Sequence, residues 1–142
     1  MDDIFNTVDD IIVHQVNCQG VMGSGIAKQV KALYPRVFNA YVEYCKKSNI
    51  LGTSLIVYDR GKYIANVFGQ YNYGNGLQTN YNALSSGLKE VYTFAKNNLL
   101  SVAIPYKIGC GLGGGDWNVV SKIIESIFTD VPFYVYRKDK LK

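Results

Sequence analysis

The sequence predicts an α/β domain of three layers, with helices on both faces of a mixed central sheet, and three observations carry that expectation. Strand-like and helix-like segments alternate along the chain without an internal repeat or a linker-like stretch. The first strand-like segment, residues 9–16, is apolar on both faces, the pattern of a central strand covered from two sides. Two separate strand ends run through glycine into a helix, and open α/β sheets bind ligands at the carboxyl ends of their strands.

The elements follow in order. Past the first strand stand Gly20, Gly23 and Gly25, and then Ile26, Val30 and Leu33 fall at helical spacing. This helix breaks near Tyr34-Pro35, because the proline ring removes a donor and restricts the residue before it. Pro35 suits the first turn of a second helix to about Lys47, burying Phe38, Val42 and Cys45. Residues 54–58 and 63–68 read as a hairpin joined by Asp59-Arg60-Gly61-Lys62. Residues 69–76 are too rich in glycine, asparagine and tyrosine for regular structure and read as a mobile loop. From Leu77, the series Tyr81, Leu84, Leu88, Val91, Tyr92, Ala95 and Leu99 marks a long amphipathic helix, with a strand at residues 101–105 behind it. Next come five glycines within residues 109–115, a stretch that turns sharply or wraps a ligand at close range. A last helix turns Val120, Ile123, Ile124 and Ile127 inward with Asp116 as its N-cap, and residues 131–136 close the chain as a strand.

Composition narrows the function classes. A length of 142 residues suits one domain, residues 1–142, and 48% apolar with 18% charged residues is a globular balance. No 18-residue apolar run and no basic-then-apolar leader occur, so the expectation is a soluble, untargeted, cytoplasmic protein without a membrane partner. The net charge of +4 is spread among acids, and only residues 137–142 are densely charged, so nucleic acid is not the expected partner. Cys18, Cys45 and Cys110 are an odd number with no metal-like pairing, which fits a reduced compartment and suggests neither zinc nor another metal or cofactor.

The two glycine corners carry the chemistry. Backbone N–H groups without a side chain in the way can bond phosphate oxygens, and a helix N-terminus adds roughly half a positive charge. Neither corner is a Walker A loop, and Lys28 stands where the dinucleotide fingerprint has its third glycine. On spacing alone, a diphosphate cradle and a pair of plain tight turns both fit.

The run from Ile12 through Val13-His14-Gln15-Val16-Asn17-Cys18-Gln19-Gly20-Val21-Met22-Gly23-Ser24-Gly25-Ile26-Ala27, followed by Ile108-Gly109-Cys110-Gly111-Leu112 and then Asp116-Trp117, resembles the ADP-ribose-binding macrodomain family. It is nearest to the branch of the ADP-ribose 1''-phosphate phosphatases and the protein ADP-ribose glycohydrolases. The resemblance implies a three-layer α/β/α fold and a diphosphate lying between the two loops. It implies that Asp3 and the backbone at Ile4 read the adenine, directly after a first strand that this chain lacks, with Tyr136 stacking on the base. Asn17 would approach the distal ribose, while Gly23, Ser24, Gly25 and Ile26, with Gly109, Cys110, Gly111, Leu112 and Gly113, would hold the diphosphate.

Three side chains are candidates for reactivity, each beside a plainer reading. His14, the only histidine, stands where the phosphatase branch has one; its ordinary pKa of about 6.5 suits a general base, yet it shares a strand face with Ile12 and Val16 and equally reads as a core histidine. Asp116 could orient water or protonate a leaving group, or simply cap its helix. Cys110 is either a thiol of lowered pKa or a small residue that fits. The glycohydrolases of the branch use a lysine after the strand matching residues 63–68 and an aspartate after their Gly-Cys-Gly-Leu; here Gln70-Tyr71 and Gly113 stand in those places. Tyr71 and Tyr73 could fold over the ribose as a lid. The expected function is hydrolysis of ADP-ribose 1''-phosphate to ADP-ribose and phosphate, with His14 and Asp116 as acid/base groups. The alternatives are a binding module without turnover and a hydrolase acting on ADP-ribosylated macromolecules.

Overall fold

A computed structural model describes residues 3–137, so most of the charged tail expected from residue 137 onward lies outside the described residues. Ile4–Asn6 form a 3-10 turn, and the regular elements follow as β1 (Ile11–Val16), α1 (Gly25–Leu33), α2 (Pro35–Tyr44), β2 (Ser54–Asp59), β3 (Lys62–Phe68), α3 (Tyr81–Asn98), β4 (Val102–Pro105), α4 (Trp117–Ile127) and β5 (Phe133–Tyr136). One sheet runs β2-β3-β1-β4-β5. Only β2 is antiparallel to its neighbour, so the sheet is mixed and β1 is central, as its two-sided apolar pattern implies.

The two faces of the sheet follow the period of two along each strand. Ile11, Val13, Ala65, Val67, Val102 and Ile104 point to one side, where Leu84, Leu88 and Val91 of α3 and Val120 and Ile124 of α4 cover them. Ile12, Val16, Ile64, Phe68 and Ala103 point to the other, under Val30 of α1, Val37 and Tyr41 of α2, and Ile4. The hairpin turn is the two-residue pair Arg60-Gly61, both at positive φ, the geometry that suits the strand twist. No strand precedes β1 among the described residues, and β2 and β5 form the sheet's edges.

Three boundaries and faces differ from expectation. In α1 Val30 is buried and Leu33 is exposed. The helix α2 ends at Tyr44 rather than Lys47, and its inner row is Val37 and Tyr41, with Phe38, Val42 and Cys45 only half-buried. The rotation follows from Tyr41, whose ring stacks on Phe68 at 5.8 Å while its hydroxyl bonds Asn17. Finally, α3 starts at Tyr81 because Asn80 accepts from the Ala83 N–H as a cap, which leaves Leu77 outside the helix and exposed.

Candidate functional site

The carboxyl end of β1 is held by Asn17. Its Oδ1 accepts from the N–H of Gln19 at 2.9 Å and from the Tyr41 hydroxyl at 2.8 Å, and its Nδ2 donates to the Val21 carbonyl at 2.9 Å. The amide is thereby committed to folding residues 17–21 back on themselves, and this delivers Gly23, Ser24 and Gly25 to the start of α1. Ser24 occupies the N-cap position but makes no side-chain cap bond, so the first-turn N–H groups of α1 have no intrahelical or capping acceptor. Gly25 sits at φ +61, and a Cβ there would meet nothing within 4 Å. This is an open, electropositive helix end.

The second corner begins where β4 meets Lys107, a bulky residue at φ +61 that turns the chain sharply. The loop then pulls its carbonyls inward. The Gly109 oxygen accepts from the Gly115 N–H and the Thr79 hydroxyl, and the Gly113 oxygen accepts from the N–H groups of Gln78 and Thr79. The N–H groups of Gly109, Gly111, Leu112 and Gly113 meet no protein acceptor among the bonds of the described residues. All four residues line the same cleft as Gly23 to Ile26.

That cleft has a volume of about 580 Å³. Lys107 is the charged residue of its lining among the described residues, and no carboxylate faces it. A smaller cavity of about 270 Å³ adjoins it, sharing Ile26, Pro105, Tyr106 and Lys107, and is walled by Asp3, Ile4 and Tyr136. Asp3 accepts from the Phe5 N–H at 3.0 Å, and the Tyr136 hydroxyl bonds Asp9 at 2.9 Å and Thr7 at 2.5 Å. Two adjoining cavities, the larger lined by two loops whose N–H groups lack protein acceptors among the described residues, suit an elongated anion with an aromatic end.

The reactive candidates fare differently. His14 is 2% exposed, lies on the α1/α2 side of the sheet between Ile12 and Val16, and is among the residues lining the cleft. Its Nε2 lies 2.6 Å from Asn66 Oδ1, and the Asn66 amide nitrogen donates to the Leu55 carbonyl. That orientation assigns the ring proton to Nε2, leaving Nδ1 as a buried acceptor without a partner. Burial pushes the imidazole down to about 4, against the opposing pull of the Asn66 bond. Asp116 is exposed, caps α4 by accepting from the Asn118 N–H at 2.9 Å, and is not among the residues lining the cleft. Cys110 is likewise absent from the lining, and burial raises its thiol instead of lowering it, with Asp116 adding to the rise. The plainer readings of Asp116 and Cys110 are the ones the geometry favours.

Sequence reasoning passed over the polar hub behind the second loop. Gln15, on β1, donates through Nε2 to Gln70 Oε1 at 2.7 Å and to Thr79 Oγ1 at 2.9 Å. A Cβ on Gly69 would collide with Gln15 Oε1, and one on Gly113 would come within 2.5 Å of Thr79 Oγ1. The signal available in the sequence was Gln15, a second polar residue beside His14 near the end of a mostly apolar strand. Residues 69–76 are irregular, as expected, and are tied to the first corner by the Cys18 N–H donating to the Tyr71 carbonyl; Tyr73, Gly74 and Asn75 line the cleft.

Comparison with known proteins adds the family. The Macro domain family profile matches residues 13–124. A DNA ADP-ribosyl glycohydrolase of Mycobacterium tuberculosis is 33% identical over 136 residues, 92% of this chain but 38% of the relative, so the chain spans well under half of that protein. An ADP-ribose 1''-phosphate phosphatase of Saccharomyces cerevisiae is 27% identical over 89% of both chains. Among solved structures, the macrodomain of Mycobacterium tuberculosis DarG superposes with a TM-score of 0.81 at 30% identity, covering 99% of this chain and 95% of the other.

Proposed function

The chain belongs to the macrodomain family, and from that premise we propose that it hydrolyses ADP-ribose 1''-phosphate to ADP-ribose and inorganic phosphate. The observation that carries the reading is the single cleft between two glycine loops, with unpaired N–H groups on the second loop and an uncapped helix end on the first. In this reading adenine enters the smaller cavity beside Asp3, Ile4 and Tyr136. The diphosphate spans Gly23, Ser24, Gly25 and Ile26 on one side and Gly109, Gly111, Leu112 and Gly113 on the other. The distal ribose and its phosphate then lie toward Asn17, Tyr73 and Asn75.

Water attacks phosphorus, the bond from phosphorus to the oxygen on C1'' breaks, and the proton lost by water is balanced by the one gained by the leaving oxygen. A loose phosphoryl transition state needs orientation and charge stabilisation more than a strong base. In this reading the loop N–H groups fix the diphosphate and so orient the substrate, and the polar groups toward Asn17, Tyr73 and Asn75 face the transferred phosphoryl group. His14, neutral at pH 7 and buried, is assigned to holding β1 against β3 through Asn66, not to relaying a proton.

A second reading, ADP-ribose binding without turnover, is favoured by the absence of Asp116 from the cleft lining. A third, release of ADP-ribose from a macromolecule, draws on the mycobacterial relative's name, but Gln70 and Gly113 stand where the glycohydrolase branch has its lysine and aspartate. Incubation with ADP-ribose 1''-phosphate separates them. Expected are equal amounts of phosphate and ADP-ribose, with a kcat/KM profile whose inflection at about pH 6, that of the substrate's own phosphate, is the same in wild type and His14→Ala. ADP-ribose binding without phosphate release would leave only the binding module. An inflection near 6.5 that His14→Ala removed would restore the general base.

A further inference from the structure

We propose that Thr79 is a positioning residue that sets the second glycine loop for the diphosphate, with Gln15 as its support. The proposal rests on the reading that this cleft takes a diphosphate, and it concerns side chains behind the loop rather than the loop itself. Thr79 is buried and grips both ends of the loop: its hydroxyl donates to the Gly109 carbonyl at 2.6 Å, and its N–H donates to the Gly113 carbonyl at 2.9 Å. The hydroxyl oxygen in turn accepts from Gln15 Nε2 at 2.9 Å, which fixes the direction of its single proton toward Gly109. With those two carbonyls bonded to Thr79, the N–H groups of Gly111, Leu112 and Gly113 between them have no protein acceptor among the described residues, and the three residues line the cleft.

The seat is rigid on both sides. Thr79 directly precedes Asn80, the cap of the 18-residue helix α3, and Gln15 belongs to the central strand. Contact is close: a Cβ on Gly109 would lie 3.0 Å from Gln15 Oε1, and one on Gly113 would lie 2.5 Å from Thr79 Oγ1 and 3.0 Å from Gln15 Nε2. Glycine at 109 and 113 is therefore the condition for the loop to rest on this pair. An anion site of backbone N–H groups binds well only if those groups are aimed before the ligand arrives.

The test compares Thr79→Val, which keeps the shape and loses the hydroxyl, with Thr79→Ser, which keeps the hydroxyl. By calorimetry, Thr79→Val should weaken ADP-ribose binding about tenfold or more, the equivalent of one misdirected buried bond, while Thr79→Ser stays within about twofold of wild type. An affinity of Thr79→Val within twofold of wild type, or equal losses in both variants, overturns the proposal. If Thr79→Val does not fold, Gln15→Met takes its place; a severalfold weaker affinity is expected, and an unchanged one overturns the proposal. A wild type that fails to bind ADP-ribose refutes the ligand reading instead. Thr79 is then judged without ligand, by 15N relaxation: the Gly111 and Leu112 amides should gain fast motion in Thr79→Val but not in Thr79→Ser, and unchanged order parameters overturn the proposal.

Discussion

Gly113→Asp is expected to abolish ADP-ribose binding, with a loss of affinity of about a hundredfold or more. The reason is space before it is charge. A Cβ at position 113 would stand 2.5 Å from Thr79 Oγ1 and 2.7 Å from the Gly109 carbonyl oxygen, and neither neighbour is the far end of a flexible chain. The loop would have to lift off its seat, and its N–H groups would lose their aim. A carboxylate would then add repulsion toward a diphosphate in a cleft where, among the described residues, Lys107 is the one cationic lining residue. Gly113→Ala separates the two effects, and most of the loss should already be present with alanine. Calorimetry on both variants measures this. Near-normal binding by Gly113→Asp would mean that the loop has slack, and the distinction drawn between this chain and the glycohydrolase branch would fall.

The second large effect is a loss of stability in mild acid through His14. The folded imidazole is pushed down to about 4, whereas in the unfolded chain it titrates near 6.5. Between those values the unfolded chain binds a proton that the folded one does not, so stability falls as the pH drops from about 6.5 to about 4 and levels off below. The full contribution is about 3 kcal/mol, with about 2 kcal/mol already lost at pH 5. Urea unfolding of wild type and His14→Asn at pH 7 and pH 5 isolates this from the carboxylates that titrate nearby. The stability gap between the two proteins should shrink by about 2 kcal/mol on acidification. A gap independent of pH would mean that His14 titrates normally and is reachable by solvent, which would reopen its role as a base.

Much of the fold was legible because local and tertiary signals agree. The two-sided apolar strand is central, Pro35 opens α2, Arg60-Gly61 makes the turn, and Asp116 caps α4 with Val120 and Ile124 inward. The misjudged faces are those where one large side chain decides the rotation. Tyr41 has a hydroxyl partner in Asn17 and a ring partner in Phe68, neither of which is adjacent in sequence, and together they turn α2 away from Phe38 and Val42.

In the site, the glycines announced the cleft because they put no side chain between a backbone N–H and a ligand. What lies behind the glycines was silent. Gln15 and Thr79 are ordinary polar residues 64 positions apart, and no spacing rule joins them before the strand and the loop are placed side by side. Asp116 and Cys110 stand beside the glycines in sequence, yet neither is among the described residues that line the cleft.

The most direct measurement is a titration of 15N-labelled protein with ADP-ribose, followed through the backbone amides. Saturable shifts should concentrate on both corners at once, at Gly23, Gly25 and Ile26 of the first and at Gly109, Gly111, Leu112 and Gly113 of the second. An absence of binding, or saturable shifts that spare either loop, would contradict the two-loop diphosphate cleft.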